Sequence, residues 1–166
     1  MMMDAASIHA RLKGRFAEGV LSVDDGAASP FAVVDAGAIR DVCRWLRDDE
    51  EMRFDCLSNE SGVDYREEGY IEVVYHLYSY THRHAVVLKV RTPRDAAAVP
   101  SVESVWSAAN WMGREIYDLL GVHFADHSDL RRLLMPEDWV GHPLRKDFVE
   151  PEEYHGISTR RESLLR

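Results

Sequence analysis

Two histidines near the start of the last quarter of the sequence have a spacing that could support metal chemistry. His123 and His127 lie four residues apart, and Asp129 follows. On a helix, histidines at this spacing share one face and could bind zinc, which would make the chain a free-standing metal-dependent hydrolase. The pair follows a helix-terminating glycine, Gly121, and lacks the glutamate of a His-Glu-x-x-His motif. A metal site is therefore the less favoured interpretation.

A second candidate is a charged group within one turn of a predicted helix. Arg114, Glu115 and Asp118 could carry out acid–base chemistry through the paired carboxylates. An arginine–carboxylate network that fixes the following loop explains the same residues, and we favour it. The sequence shows no serine nucleophile elbow, glycine-rich phosphate loop or Cys–His pairing at the spacing that catalysis needs. We therefore expect no catalytic, cofactor-binding or metal-binding residues, and no activity in the isolated chain.

Composition excludes several classes of protein. The 166 residues carry a formal net charge of −9, which argues against nucleic-acid binding because phosphate neutralisation needs a basic surface. No apolar run reaches the ~20 residues of a membrane span, and the first residues lack the apolar core of a signal peptide. Cys43 and Cys56 form no CxxC pair, and we interpret both as core residues rather than a disulfide or cluster ligands. These features predict a cytoplasmic location.

The elements that would position these residues follow from hydrophobic periodicity. A helix containing Ile8, Leu12 and Phe16 precedes a hairpin of strands at 19–23 and 30–35. Asp35 then caps a helix with a stripe of Ile39, Val42, Cys43 and Leu46. Alternation predicts strands at 52–57, 69–80 and 84–92, and the last helix extends from Trp106 to Leu120. The order α-β-β-α-β-β-β-α predicts a two-layer α+β domain, residues 1–121, with a mixed sheet of about five strands.

Regular periodicity fades in residues 122–166, which we call the C-terminal segment. Prolines at 136, 143 and 151 interrupt it, yet large apolar residues such as Trp139 are too frequent for a disordered tail. Ordering each residue costs ~1–2 kcal/mol of backbone entropy, and local structure offsets little of that cost. We therefore expect an extended segment that wraps a partner protein.

Residues 100–147 contain a longer pattern: PSVESVWSAANWMGREIYDLLGVHFADHSDLRRLLMPEDWVGHPLRKD. This run resembles the signature of the 30-kDa-subunit family (the C-type subunit) of proton-pumping NADH:quinone oxidoreductase, respiratory complex I. That signature contains Ala-Ala-Asn-Trp, Arg-Glu-x-Tyr-Asp-Leu, Asp-Leu-Arg-Arg, Pro-x-Asp-Trp and Gly-His-Pro-Leu-Arg-Lys-Asp. Gly113 stands where the family usually has glutamate. Ser128 stands where it has proline, which we expect to loosen the bend after His127.

The resemblance implies a non-catalytic structural subunit in the hydrophilic arm, peripheral to the cytoplasmic side of the cell inner membrane. Its partners would be a hydrogenase-like large subunit (D type) and neighbouring iron–sulfur subunits (B and I types). FMN, iron–sulfur clusters and quinone would bind to other subunits of the complex, with no cofactor in this chain. The matching residues are predicted to bind partners: Trp111, Arg114, Asp118, His127, Asp129, Arg131, Arg132, Pro136, Asp138, Trp139, His142, Pro143, Arg145, Lys146 and Asp147.

Three further expectations can be compared with a structure. Trp111, Tyr117 and Leu120 should be mostly buried, while Arg114 and Asp118 should hydrogen-bond residues 122–132. Trp139 should anchor the segment to the partner. The segment's basic residues should meet carboxylates or carbonyls on the partner, or aspartates within the segment.

Two alternatives to the complex I assignment stay open. Related subunits occur in membrane-bound hydrogenases and other complex-I-like enzymes, and a chaperone-like interaction domain unconnected to electron transfer would also lack catalytic residues.

Overall fold

A five-stranded mixed sheet forms the frame of the protein, in a computed structural model that describes residues 2–160. Its strands are β1 (Val20–Asp24), β2 (Phe31–Val34), β3 (Cys56–Tyr65), β4 (Tyr70–Ser79) and β5 (His84–Pro93). Their order across the sheet is β1-β2-β5-β4-β3, with β2 and β5 parallel and the other neighbours antiparallel. The α+β class, the mixed sheet and both predicted hairpins are confirmed.

Three helices pack around the apolar core. Helix α1 (Ala5–Arg15) is capped by Asp4, whose carboxylate accepts the Ser7 N–H. Helix α2 (Ile39–Asp48) buries the predicted stripe of Ile39, Val42, Cys43 and Leu46 completely. Helix α3 (Ala109–Leu120) ends at Gly121, which has a φ of 75°. Glycine suits that left-handed position because it has no Cβ to clash with the backbone.

The strand predicted at residues 52–57 is displaced in the structure. Met52 and Phe54 are fully buried, but they precede the strand, which begins at Cys56 and continues to Tyr65. Strand β3 is at the edge of the sheet and pairs with β4 alone. Its sequence, CLSNESGVDY, has no apolar alternation, because seven of its ten residues are exposed or only partly buried. An edge strand of this kind gives a weak periodic signal.

The chain returns to the domain directly after α3. Strand β7 (His123–Ala125) pairs in parallel with β6 (Ala98–Pro100), and Phe124 is buried in the core. After that the path is irregular, apart from the two-residue strands β8 (Glu153–Tyr154) and β9 (Ile157–Ser158). Among the residues described, none of the helices is long and apolar enough to span a membrane.

Candidate partner-binding surface

The histidine pair does not have the geometry of a zinc site. The His127 side chain is buried. Its Nδ1 accepts the Asp129 N–H at 3.0 Å, and its Nε2–H donates to the Asn110 carbonyl at 3.0 Å. Both ring nitrogens are therefore occupied by the backbone. His123 is exposed on β7, and no group of three His, Cys, Asp or Glu side chains within residues 2–160 is arranged to hold a metal. This geometry counts against the hydrolase hypothesis.

Asp118 instead anchors the C-terminal segment. Its carboxylate is fully buried, and Oδ2 accepts the N–H groups of Leu133 at 3.0 Å and of Leu134 and Met135 at 2.8 Å. Arg132 donates to Oδ1 at 2.7 Å. Burial alone would raise the pKa of Asp118, but these four donors together outweigh it and lower the pKa below its usual value.

Arg114 completes this anchor from the other side. Its guanidinium donates to the carbonyls of Arg131 and Arg132 at 3.3 Å and lies 5.1 Å from the centre of the Trp111 ring. The expected hydrogen bonds from Arg114 and Asp118 are thus confirmed, although they reach to Met135, beyond the predicted limit of residue 132.

The predicted burial of Trp111 is wrong. Its side chain is 63% exposed, while Leu120 is buried and Tyr117 is half-buried. The inner face of α3 is filled by Ala109, Gly113, Ile116 and Leu120, and the buried Arg114 takes the adjacent position. Trp111 is therefore left on the outer face, with one side of its ring against the guanidinium.

The later part of the C-terminal segment caps the end of α3. His142 Nδ1–H donates to the Asp118 carbonyl at 2.9 Å. The Leu144 N–H donates to the Leu119 carbonyl at 3.0 Å, and Arg145 Nε–H donates to the Leu120 carbonyl at 2.7 Å. The last turn of a helix lacks partners for its carbonyls and carries partial negative charge, so these donors satisfy both needs.

A second anchor connects the segment to β3. Arg94 donates to both oxygens of the buried Asp64, at 2.8 and 3.1 Å, and also pairs with Asp147 at 3.1 Å. The Lys146 N–H donates to Asp64 Oδ2 at 2.8 Å. Hydrogen bonds from Arg94 and then Lys146 lower the pKa of Asp64 despite its burial. The sequence alone does not indicate Asp64 and Arg94, because no local pattern joins residues that lie this far apart in the chain.

Trp139 packs within the segment. Its ring lies 6.5 Å from that of Phe148 and 5.2 Å from that of Tyr154. Asp138 accepts bonds from the Tyr154 hydroxyl at 2.8 Å and from His155 Nε2–H at 2.7 Å. Trp139 is half-buried in this ring cluster, so it organises the segment itself. Its predicted role as a direct anchor to a partner stays a prediction.

The basic residues of the segment also contact this chain. Arg131 pairs with Asp129 at 2.9 Å within the segment, as expected. Arg132 binds Asp118 and the Trp139 carbonyl, and Arg145 binds Leu120, so both point towards the chain's own domain. The Lys146 side chain and Pro136 are exposed, and Pro143 is half-buried.

Ser128 stabilises the bend that it was expected to loosen. Its N–H donates to Glu103 Oε2 at 3.0 Å and its hydroxyl donates to Oε1 at 2.6 Å, while the Asn110 side chain donates to Oε1 at 2.9 Å. These bonds, led by those from Ser128, lower the pKa of Glu103 to about 2. A proline at position 128 would lack both donors.

Large apolar side chains remain outside this hydrogen-bonded framework. The exposed fractions are 63% for Trp111, 61% for Leu134, 57% for Leu144, 82% for Val140 and 83% for Val149. We call these five residues the exposed apolar set. Their backbone is held by α3 or by the segment anchored to it, and exposed apolar side chains on a fixed backbone are typical of protein-binding surfaces.

Comparison with known proteins gives a consistent result. Residues 32–154 match the family model described as respiratory-chain NADH dehydrogenase, 30 Kd subunit. The chain is 42% identical to the C-type subunit of NADH-quinone oxidoreductase from Chlorobium phaeobacteroides, over 88% of this chain and 89% of that protein. It is 41% identical to the C-type subunit of F(420)H(2) dehydrogenase from Methanosarcina mazei, over 88% of this chain and 92% of that protein.

Two solved structures share the fold. One is a chain of the membrane-bound sulfane sulfur reductase, an archaeal respiratory membrane complex, with a TM-score of 0.72, 27% identity, and coverage of 87% of this chain and 85% of that one. The other is a trypsin-resistant fragment (1-134) of Nqo5, with a TM-score of 0.60, 25% identity, and coverage of 74% and 98%.

Proposed function

The chain belongs to the family of the 30-kDa subunit of respiratory-chain NADH dehydrogenase, and we propose that it is a non-catalytic structural subunit of such an enzyme. In this role it would support the quinone-reducing module in the hydrophilic arm. The proposal agrees with the position of the charged residues of α3, whose hydrogen bonds fix the C-terminal segment. The electron-transfer cofactors FMN, iron–sulfur clusters and quinone would then bind to other subunits.

The observation that carries this proposal is the exposed apolar set on an anchored backbone. Fully burying a large apolar side chain contributes ~1.5–3 kcal/mol, so five partly exposed ones offer roughly 5–10 kcal/mol. Association alone costs an estimated 4–15 kcal/mol, so these residues could form the centre of an interface but not all of it. Obligate interfaces bury ~2,000–5,000 Å². The rest of the C-terminal segment would supply the remaining area.

The partner that we propose is the hydrogenase-like large subunit, with the iron–sulfur subunits of B and I type as further neighbours. This chain would reach the membrane only through the complex, on the cytoplasmic side. The sequence similarity to complex I relatives and the fold shared with a chain of an archaeal respiratory membrane complex support this arrangement.

A second candidate keeps the same structural role in an enzyme with another electron donor. Identity to the F(420)H(2) dehydrogenase subunit, 41%, is nearly equal to the 42% found for an NADH-quinone oxidoreductase subunit. Purifying the complex through this chain and assaying its oxidation of NADH and of reduced F420 would separate the two. Oxidation of F420H2 but not NADH would favour the second candidate.

Binding itself can be tested with matched surface variants. Leu134→Ser and Leu21→Ser remove side chains of nearly equal exposure, 61% and 62%, but Leu21 lies on β1, outside the segment and α3. We expect Leu134→Ser to reduce co-purification of the large subunit and Leu21→Ser to leave it unchanged. Equal recovery of the large subunit with both variants would contradict the proposed surface. Failure of the unmodified chain to bind this subunit would contradict the proposed function.

A further inference from the structure

A groove of about 150 Å³ lies between α3 and the edge strand β3, at the end of the exposed apolar set. Its apolar wall consists of Ile116, Leu119, Leu120 and Leu144. Two acidic residues also line it: Glu60 on β3 and Glu115 on the outer face of α3. No basic side chain is among the described residues that line the groove. It therefore combines an apolar wall with two carboxyl groups that have no basic neighbour in the groove.

The groove is preformed. A 3.0 Å hydrogen bond from the Leu144 N–H to the Leu119 carbonyl fixes the outer edge of the groove. At its base α3 lies directly on β3, because a Cβ added to Gly62 would come within 2.4 Å of Leu120 Cδ1. Filling this groove requires little movement of the chain, which reduces the entropic cost of binding.

Glu60 lacks a hydrogen-bond partner. The residue is only 5% exposed, and neither carboxyl oxygen has a partner among the described residues. The ionisable groups around it are Cys43 of α2, Tyr75 of β4 and Glu115 of α3. Burial raises the pKa values of Cys43 and Tyr75 well above their usual ranges, so neither is charged near neutral pH. None of these groups can compensate an ionised Glu60.

We propose that the groove receives a basic side chain, lysine or arginine, from the partner subunit. The aliphatic stem of that side chain would pack on Ile116, Leu119 and Leu144, and its charge would pair with Glu60 and Glu115. The inference rests on the proposed function, since it needs a partner that covers this end of the exposed apolar set.

The unpaired carboxyl selects a basic occupant over an apolar one. An apolar side chain would leave the two buried oxygens of Glu60 without a hydrogen bond, which is unfavourable. A cation pairs with the carboxylate and also with Glu115 at the mouth. Lysine and arginine suit the shape because their stems bury in apolar surroundings while the charged end reaches a polar group.

Binding of a cation has a measurable consequence. Burial raises the pKa of Glu60 to about 8, so the free chain carries a proton there at neutral pH. Pairing with a cation favours the ionised form, and this proton is released when the subunits associate. Affinity should therefore rise with pH, by about tenfold per unit for one released proton, until the pH approaches 8.

The test compares the full-length chain with Glu60→Gln, using the hydrogenase-like large subunit purified without this chain as the binding probe. The control is Glu67→Gln, an exposed glutamate in the turn between β3 and β4. Affinity is measured from pH 6 to 8, and the ionisation of Glu60 is followed by carbon-13 NMR of labelled glutamate in the free and bound chain.

We expect Glu60 to be protonated in the free chain at pH 7 and ionised in the complex. The tenfold dependence per pH unit should disappear in Glu60→Gln and persist in Glu67→Gln. If Glu60 stays protonated in the complex, the occupant is apolar and the proposal is wrong. If the free chain self-associates and Glu60 becomes ionised in that state, a second copy of the chain fills the groove. This outcome also overturns the proposal. In both cases the proposed function stands, because the subunits still bind.

Discussion

Replacing Asp118 with asparagine tests the anchor of the C-terminal segment. The variant keeps the shape of the side chain but removes its charge and one of its two acceptor oxygens. The four bonds to Asp118, from Arg132 and from the N–H groups of residues 133–135, then weaken or break. Breaking one side of a buried ion pair costs ~3–5 kcal/mol. The Arg132 side chain is 18% exposed and can recover some hydration. We therefore expect the free energy that holds the segment on α3 to fall by about 3 kcal/mol.

Amide hydrogen exchange measures this loss at the residues concerned. About 3 kcal/mol corresponds to roughly a hundredfold increase in the opening of the N–H groups of Leu133, Leu134 and Met135. Glu137→Gln is the control, because Glu137 is an exposed residue of the same segment and forms no ion pair or side-chain hydrogen bond among the described residues. Unchanged exchange at residues 133–135 in Asp118→Asn would refute the anchoring role.

Acid should reproduce the effect in the unmodified chain. The pKa of Asp118 is lowered in the folded protein, so its contribution to stability is present above the unfolded value near 4 and is lost as pH falls through the folded value. Opening of residues 133–135 should therefore increase only at strongly acid pH, and Asp118→Asn should lack that increase. An increase already present near pH 6 would point to another group.

Three further predictions concern the domain. Gly62→Ala should lower the free energy of unfolding by ~1–3 kcal/mol in chemical denaturation, because its Cβ would overlap Leu120; unchanged stability would show that α3 can shift freely. Ser128→Ala should lower the free energy of unfolding by ~1 kcal/mol, because the hydroxyl bond to Glu103 is lost. Ser104→Ala, which changes an exposed serine, should leave it unchanged. Equal effects of the two variants would contradict the stabilising role of Ser128. Burial raises the pKa of Glu60 to about 8 in the folded chain, so its contribution to stability is full below the unfolded value of 4.5 and is lost as pH rises to about 8. The free energy of unfolding should therefore fall by ~1.4 kcal/mol per pH unit across this range. Glu60→Gln should lack this dependence, and a variant with the same pH profile as the unmodified chain would contradict the prediction.

The parts of the fold that could be predicted are those in which burial alternates with exposure along the chain. Helix α2 shows its stripe in the sequence because it lies against the core along one side, and the hairpin of β4 and β5 shows strong β propensity. Strand β3 could not be placed, because an edge strand with Glu60 and Asp64 on its buried face breaks the expected pattern. Gly62 gives no apolar signal either, although α3 packs directly on it.

The hydrogen bonds that anchor the C-terminal segment were predictable in position but not in detail. The charged pair of α3 indicated a fixed loop, and Arg114 and Asp118 form it. Periodicity could not show that Arg114 would be buried, because its burial depends on the segment, whose Arg131 and Arg132 carbonyls accept its hydrogen bonds. Nor could it show that Arg132 and Arg145 would bind the chain's own domain, since that depends on carbonyls exposed by the end of α3.

The measurement that tests the central claim most directly is hydroxyl-radical footprinting of the free chain and of the assembled complex. The claim is that the C-terminal segment and α3 present a preformed apolar surface to a partner subunit. We predict that Trp111, Leu134 and Leu144 are oxidised in the free chain and protected in the complex, while Leu21 on β1 is oxidised equally in both. Equal oxidation of Trp111, Leu134 and Leu144 in the two states would contradict the claim.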